Sequence, residues 1–293
     1  MLQQTQVKTA TPYFKNFIKK YPTQKKLSEA SEDQILALWS GLGFYRRARN
    51  IFKTKEIIKE KYNNRFPKEF HQLLELPGIG KSTAGAIMSL AYQNPHPILD
   101  GNVKRVITRL VSKNIDLLKE SQLWDLSSQF VNKENCFAYT QGIMDLGATV
   151  CTPTNPSCKD CPVQNQCMSA FNIINNKKRN VAQLKKVIPM NLSLIQTEDS
   201  LLLVKNEASS IWKNLWIPFE SRSLECYTNS FQLTSSQKIQ HELTHRRLNI
   251  KLNTYISTNE SKIKTNKKYK WIKKDRINEY GLPKPISKVI NEL

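Results

Sequence analysis

Acidic side chains are in short supply in this chain, where 24 Asp and Glu stand against 45 Lys and Arg for a formal charge of +21. So strong a basic excess suits a polyanionic partner, nucleic acid ahead of a membrane surface, although any one lysine is by default a solvated one. No unbroken apolar run of about 18 residues occurs, which excludes a membrane-spanning helix. Nor is there a basic-then-apolar leader, since Met1 runs straight into Leu2, Gln3, Gln4, Thr5 and Gln6. A reducing, cytoplasmic setting without membrane attachment is therefore the expectation. Internal repeats and long low-complexity tracts are also missing. At 293 residues the chain exceeds a usual single domain, so two are expected.

Against these deficits stands one concentration. Cys151, Cys158, Cys161 and Cys167 read C-x6-C-x2-C-x5-C and take four of the six cysteines. In a reducing compartment such thiols are metal ligands sooner than disulfides. One C-x2-C with longer arms points to an iron-sulfur cluster, with a zinc site or plain buried cysteines as the alternatives. Cys136 and Cys226 fall outside the pattern and read as small core residues.

From Val7 to about Trp124 the pattern is helical. Phe14, Phe17 and Ile18 share a helical face, and Ser31-Glu32-Asp33-Gln34 is a capping box opening a helix that buries Ile35, Leu38 and Trp39. Val103, Val106, Ile107 and Leu110 recur at i, i+3, i+4, i+7 just after Gly101. Residues 172–187 turn polar and basic, with Lys177, Lys178, Arg179, Lys185 and Lys186, and read as a linker. Beyond it, Leu201–Val204 has strand length. Ile239, His241, Leu243 and His245 alternate with polar neighbours, as do Leu248, Ile250 and Leu252, before Ile286, Val289, Ile290 and Leu293 return to helical spacing. That C-terminal part reads as α+β.

Leu76-Pro77-Gly78-Ile79-Gly80-Lys81-Ser82 places two glycines ahead of an apolar helical run. Without Cβ atoms the backbone can turn tightly and bring amide N–H groups to a phosphate at the positive end of a helix, or it can be a plain helix–helix turn. A P-loop would need a glycine at position 75, three residues before Gly78, where Glu75 stands. Further on, Asp100 stands at the mouth of the helix beginning at Gly101, where a lone aspartate is ordinarily an N-cap.

Together, the hairpin, Asp100 and the four-cysteine loop resemble the helix-hairpin-helix DNA glycosylases with a 4Fe-4S cluster. Met1-Leu-Gln-Gln-Thr-Gln-Val7, Trp39-Ser-Gly-Leu-Gly-Phe-Tyr-Arg-Arg-Ala-Arg-Asn50 and Leu99-Asp-Gly-Asn-Val-Lys-Arg105 are similar to the adenine DNA glycosylase (MutY) family. The likeness is dense from Met1 to about Ala170 and weaker afterwards. It implies an all-α helix-hairpin-helix glycosylase domain over 1–171 with the cluster loop at 151–167. The basic linker 172–187 and a Nudix-like, 8-oxoguanine-recognising α+β domain over 188–293 would follow. It further implies a monomer acting on duplex DNA with an A:8-oxoguanine or A:G mispair. Asp100 would stabilise positive charge on the sugar as the glycosidic bond breaks, and the four cysteines would hold the 4Fe-4S cluster. Gln3, Gln4, Thr5, Phe44, Tyr45, Arg47, Gly78, Gly80, Lys81, Ser82 and Asn102 would contact DNA, with Phe44 standing where tyrosine is common. Thr244 and His245, within His241-Glu-Leu-Thr-His245, would read the lesion.

Ser82 separates relatives. Endonuclease III-type enzymes carry there a lysine that attacks the sugar and opens a route to strand cleavage, whereas serine cannot form the imine, so a monofunctional glycosylase is favoured over a lyase. Lys81, about 100° away on the helix, reads as a phosphate contact. No glutamate-rich metal-binding helix lies between Val204 and Phe231, so the second domain is expected to read without hydrolysing. From Gln240 to Arg276, 11 Lys or Arg face 3 acids, which suits backbone contact; the lysine bias between Lys262 and Lys274 could equally serve solubility. The family's catalytic glutamate lies two residues before the Met-Leu-Gln-Gln run, ahead of the first residue here. The polypeptide as written is thus expected to be catalytically crippled, either because its start has been assigned at an internal methionine of a longer, active chain or because it is a silent lesion-DNA binder, the alternative from another class.

Overall fold

The structure, a computed structural model, describes residues 1–172, 185–207, 211–221, 231–257 and 268–293. Lys177, Lys178, Arg179, Cys226 and Lys262 fall outside the described residues. Two units are formed, one from Met1–Glu60 with Val181–Leu293 and the other from Lys61–Asn180. Sequence order places its boundary at 171, whereas packing places one at 60.

The first unit starts with helices α1 (Val7–Lys20), α2 (Gln24–Ser28), α3 (Glu32–Leu38) and α4 (Arg46–Lys61). The capping box forms as its residue types require: Ser31 Oγ accepts from the Gln34 amide at 3.2 Å and Gln34 Oε1 accepts from the Ser31 amide at 3.0 Å. Two orphan donors of the helix start are thereby satisfied. On α1 it is Ala10 and Phe17 that are buried, while Phe14 and Ile18 are exposed. The inner side of α1 is set by the 10–13–17–21 row, with Tyr13 and Tyr21 in the core, and not by Phe14 and Ile18.

Strands β1 (Lys186–Gln196), β2 (Ser200–Lys205), β3 (Trp216–Ile217), β4 (Phe219–Glu220), β5 (Gln232–Glu242), β6 (Arg246–Ile256) and β7 (Tyr269–Lys273) make one mixed sheet. Its order is β3-β2-β1-β6-β5, with β4 also on β1 and β7 on β2. β1 and β6 run parallel in register from Lys186↔Arg246 to Gln196↔Ile256, and the remaining pairs are antiparallel. Period-2 alternation places Leu192, Leu194, Leu201, Leu203, Leu248, Ile250 and Leu252 in one core. Ile35, Leu36 and Trp39 of the N-terminal helices enter that same core, as do Ile286 and Val289 of α10 (Lys284–Ile290). Each full burial of this kind contributes about 1.5–3 kcal/mol.

Polar contacts fix the register of α3 on the sheet. Glu32 accepts both bonds of the Asn214 amide at 2.9 and 3.1 Å, and Asp33 Oδ1 accepts from Lys205 Nζ and Trp216 Nε1, each at 3.1 Å. Gly281 is needed where the chain crosses α3, since a Cβ there would stand 2.5 Å from Leu36 Cβ.

The second unit contains α5 (Phe70–Leu74), α6 (Lys81–Tyr92), α7 (Gly101–Leu110), α8 (Glu120–Phe130) and α9 (Cys136–Asp145), the last widening into a π-helical turn at Leu146–Val150. Ile98, Leu99, Val103, Val106, Ile107, Leu123, Leu126 and Ile143 form its core. The helical N-terminal half and the α+β C-terminal part agree with the periodicities of the sequence. Among the described residues no helix is long and apolar enough to cross a membrane.

Candidate active site and cysteine loop

In the second unit the hairpin joins α5 to α6. Gly78 takes φ +85°, a left-handed conformation that glycine adopts without penalty. Gly80 is the N-cap of α6 and, having no side chain, makes no cap hydrogen bond to the helix start. Lys81 is exposed, and its ammonium lies 4.2 Å from the centroid of the Trp124 ring. Ser82 turns inward, its hydroxyl accepting the Leu99 amide at 2.9 Å.

That bond reaches the residue before Asp100. Asp100 caps α7, with Oδ1 accepting the Val103 amide at 2.8 Å, and the residue itself is exposed. The N-cap reading from sequence is therefore correct, and it engages one carboxylate oxygen. No hydrogen bond among the described residues reaches Oδ2.

Arg105 and Arg109, four residues apart on α7, tie this helix to the cysteine loop. Arg105 donates to the carbonyls of Cys151 at 2.8 Å and Gly147 at 2.6 Å, and to Asn102 Oδ1 at 2.9 Å. Arg109 donates to Cys151 Sγ at 3.4 Å, to the Thr152 carbonyl at 2.7 Å and to that of Pro153 at 3.0 Å. The π-turn explains the first set: its wide 146→151 hydrogen bond leaves the Gly147 carbonyl without a regular helical donor, and a guanidinium fills the gap. Burial draws the Arg105 guanidinium below its usual value, Arg109 adds to the effect, and the charges of Cys151 and Asp100 oppose it. Gly147 lets the turn come close, because a Cβ there would meet Asn102 Cβ at 2.8 Å.

Cys151, Cys158, Cys161 and Cys167 line one cavity together with Arg109. All four are free thiols. Burial raises the Cys167 thiol above its usual value, and charge on the other three cysteines adds to the rise. Among the described residues no three His, Cys, Asp or Glu side chains converge closely enough to hold a single metal ion. Four thiols lining one cavity are a donor set that suits a soft metal centre.

In the first unit Arg47 gathers two segments. It donates to the carbonyls of Met1 at 2.6 Å, Gln3 at 2.5 Å and Gly43 at 3.3 Å, and its guanidinium lies 5.3 Å from the Phe44 ring and 5.5 Å from that of Trp39. Gln4 at φ +55° and Phe44 at φ +49° are both left-handed, an uncommon state for non-glycine residues that concentrates at functional sites. Phe44 is exposed, Thr5 half-buried. Tyr45 points inward, where its hydroxyl donates to the Leu282 carbonyl at 3.2 Å and accepts from the Gly41 amide at 3.3 Å. Thr244 and His245 are exposed at the tip of the β5–β6 hairpin, beyond the strand that their alternation suggested. His241 sits in β5 beside Trp212, with ring centroids 6.3 Å apart.

Sequence reasoning did not single out Arg109, Gly147, Trp124 or Ser127, nor Arg105 as a bridge. The i, i+4 spacing of the two arginines on α7 was the available signal.

Comparison with known proteins gives these arrangements their class. Residues 1–123 match the HhH-GPD superfamily of base excision DNA repair proteins, and residues 191–292 match the NUDIX domain. A thermostable thymine-DNA glycosylase superposes with a TM-score of 0.53 at 26% identity, covering 59% of this chain and 81% of that one. A trapped endonuclease III–DNA covalent intermediate gives 0.50 at 25% identity, over 57% and 79%. The protein is thus a helix-hairpin-helix DNA glycosylase of base excision repair with DNA as its partner. The adenine DNA glycosylase of Buchnera aphidicola from Schizaphis graminum is 38% identical over 99% of this chain and 88% of its own length. This chain belongs to the adenine DNA glycosylase family.

Proposed function

We propose that the protein removes adenine mispaired with 8-oxoguanine or guanine, acting as a monomer and hydrolysing the N-glycosidic bond without strand cleavage. The observation that carries this reading is Asp100, held at the mouth of α7 by one oxygen with the other left over. A flipped-out adenosine costs a few kcal/mol of unstacking and needs firm backbone grips. The uncapped start of α6 at Gly80, with Gly78 and Lys81 beside it, supplies donors for a phosphate. The C1′–N9 bond breaks as a proton passes to the departing adenine and the hydroxyl of a water adds at C1′; in between, positive charge grows on the sugar, and the Asp100 carboxylate faces it. At about 4 Å and an effective dielectric near 20 that attraction is worth about 4 kcal/mol. Ser82, engaged with Leu99, offers no amine for a covalent sugar adduct.

Cys151, Cys158, Cys161 and Cys167 would hold a 4Fe-4S cluster, and a reducing cytoplasmic compartment suits such thiols. When bound, the cluster supplies cross-linking of the loop and no electrons, because hydrolysis transfers none. Arg105 and Arg109 pass that order to α7 through the Cys151, Thr152 and Gly147 carbonyls. Gln3, Gln4, Thr5, Phe44, Tyr45 and Arg47 form the stack-facing side, with Arg47 and Tyr45 acting from inside as supports. Asn102 faces the DNA beside Asp100, and Thr244 and His245 read the lesion from the hairpin tip.

The test is single-turnover adenine release from an A:8-oxoguanine duplex by the chain preceded by the glutamate that the family carries two residues before Met1, taken as wild type, and by its Asp100→Asn variant, with duplex affinity measured in parallel. Losing about 4 kcal/mol slows release about 10³-fold with affinity kept. Release by Asp100→Asn within threefold of wild type would exclude the role of Asp100. Lesion-duplex binding with background release from wild type would identify a silent binder instead. Anaerobic reconstitution with iron and sulfide should give the brown 4Fe-4S chromophore, and uptake of one zinc in its place would overturn the cluster.

A further inference from the structure

After the left-handed C-cap Gln93, residues 94–99 belong to no helix or strand, so their backbone groups need other partners. Serine hydroxyls provide several. Ser89 accepts the His96 amide at 3.2 Å and donates to the His96 carbonyl, Ser127 donates to the Ile98 carbonyl at 2.7 Å, and Ser82 accepts the Leu99 amide at 2.9 Å. Ser82, Gly85 and Ser89 lie on one face of α6 at i, i+3 and i+7. Gly85 lets the segment lie flush on that face, since a Cβ there would meet the Pro97 carbonyl oxygen at 2.3 Å. Ser82 is the last of these fasteners before Asp100, whose own carboxylate then engages Val103.

We propose that Ser82 is a positioning residue for Asp100: its hydroxyl fixes the Leu99 amide against α6 and thereby sets where the Asp100 carboxylate stands. The inference rests on the assignment of Asp100 given above. Serine at this position is thus a fastener directed into the protein. Alanine would leave the Leu99 amide without its acceptor, and threonine would keep the oxygen. A misplacement of about 1 Å at a reacting group costs about a hundredfold in rate.

The test uses the full chain with Ser82→Ala, Ser82→Thr and, as a control, Ser128→Ala, whose hydroxyl only bonds back to the Trp124 carbonyl within α8. Two readouts are taken, amide hydrogen exchange resolved at Leu99 and Val103, and single-turnover adenine release alongside duplex affinity. The expected result for Ser82→Ala is faster exchange at both amides and release slowed tenfold to a hundredfold, about the cost of a small misplacement. Duplex affinity should stay within twofold, and Ser82→Thr should restore both exchange and rate to within about threefold of wild type. A phosphate contact would instead weaken duplex binding in Ser82→Ala with Leu99 still protected, and that outcome overturns the proposal. Unchanged exchange at Val103 overturns it too, because the fastener would then not reach Asp100. Background release from wild type would count against the glycosylase assignment alone, leaving the exchange data to decide the positioning.

Discussion

Replacing Arg105 by alanine removes three good hydrogen bonds at once and tests whether α7 and the cysteine loop are one mechanical piece. Two of the acceptors are the Cys151 and Gly147 carbonyls, which lie part-buried around a turn whose own hydrogen-bonding pattern cannot serve them. Leaving each without a donor costs about 1–3 kcal/mol, and the Asn102 bond adds about 1 kcal/mol. Taking the lower half of that range for part-buried groups gives a loss of about 3–5 kcal/mol. For a unit of this size about 4 °C of transition temperature accompanies each kcal/mol, so the second unit should melt about 12–20 °C earlier in calorimetry. Arg105→Lys should recover less than half, because one ammonium cannot span the fork. In protein reconstituted with iron and sulfide, retention of the proposed 4Fe-4S chromophore under mild oxidation should fall in parallel. A transition for Arg105→Ala within 2–3 °C of wild type, well under 1 kcal/mol by the same scaling, would refute the argument, since water would then be replacing the guanidinium at no cost.

Gly147→Ala forces a Cβ to within 2.8 Å of Asn102 Cβ, and a loss of about 1–3 kcal/mol is expected by urea denaturation. In the first unit, Gly281→Ala drives a Cβ against Leu36 and should cost a similar amount, read from tryptophan fluorescence of the Trp39 and Trp216 core. His241 carries a pH signature: burial, with Lys284 adding to it and Glu242 opposing, holds its imidazole below the ordinary value. The folded unit therefore binds fewer protons than the unfolded chain, so its stability rises with pH and is lost as pH falls through about 6.5 toward the lowered folded value. Denaturation midpoints at pH 7.5 and 5.5 should converge in His241→Gln, and an unchanged difference would assign the pH dependence to other groups.

Local signals were legible in the sequence, because their partners lie within a turn or two. The Ser31 capping box, the α7 periodicity, the Asp100 N-cap and the cysteine spacing all depend on neighbours a few residues away. What the sequence did not disclose depends on distant partners. The parallel pairing of β1 with β6 joins residues about sixty positions apart, and alternation alone names no partner strand. Phe14 and Phe17 look alike in sequence, yet the row that includes Tyr13 and Tyr21 decides which is buried. Tyr45 was expected at the DNA from the resemblance alone, and its inward hydroxyl bond to the Leu282 carbonyl joins residues 237 positions apart, which no local pattern discloses. Thr244 and His245 continued an alternating pattern that the chain breaks to turn back into β6. Arg105 was visible only as part of a motif, and its bridging role needed the π-turn opposite.

The discontinuous make-up of the first unit bears on the order of assembly during synthesis. Residues 61–180 complete a core from consecutive chain, whereas Leu36 and Trp39 wait for Leu192, Leu248 and Ile286, made more than a hundred residues later. Loop closure over that span makes the mixed sheet the slower partner. Pulse proteolysis of ribosome-stalled chains should find 61–180 protected first, and simultaneous protection of both units would show that the late strands are not rate-setting.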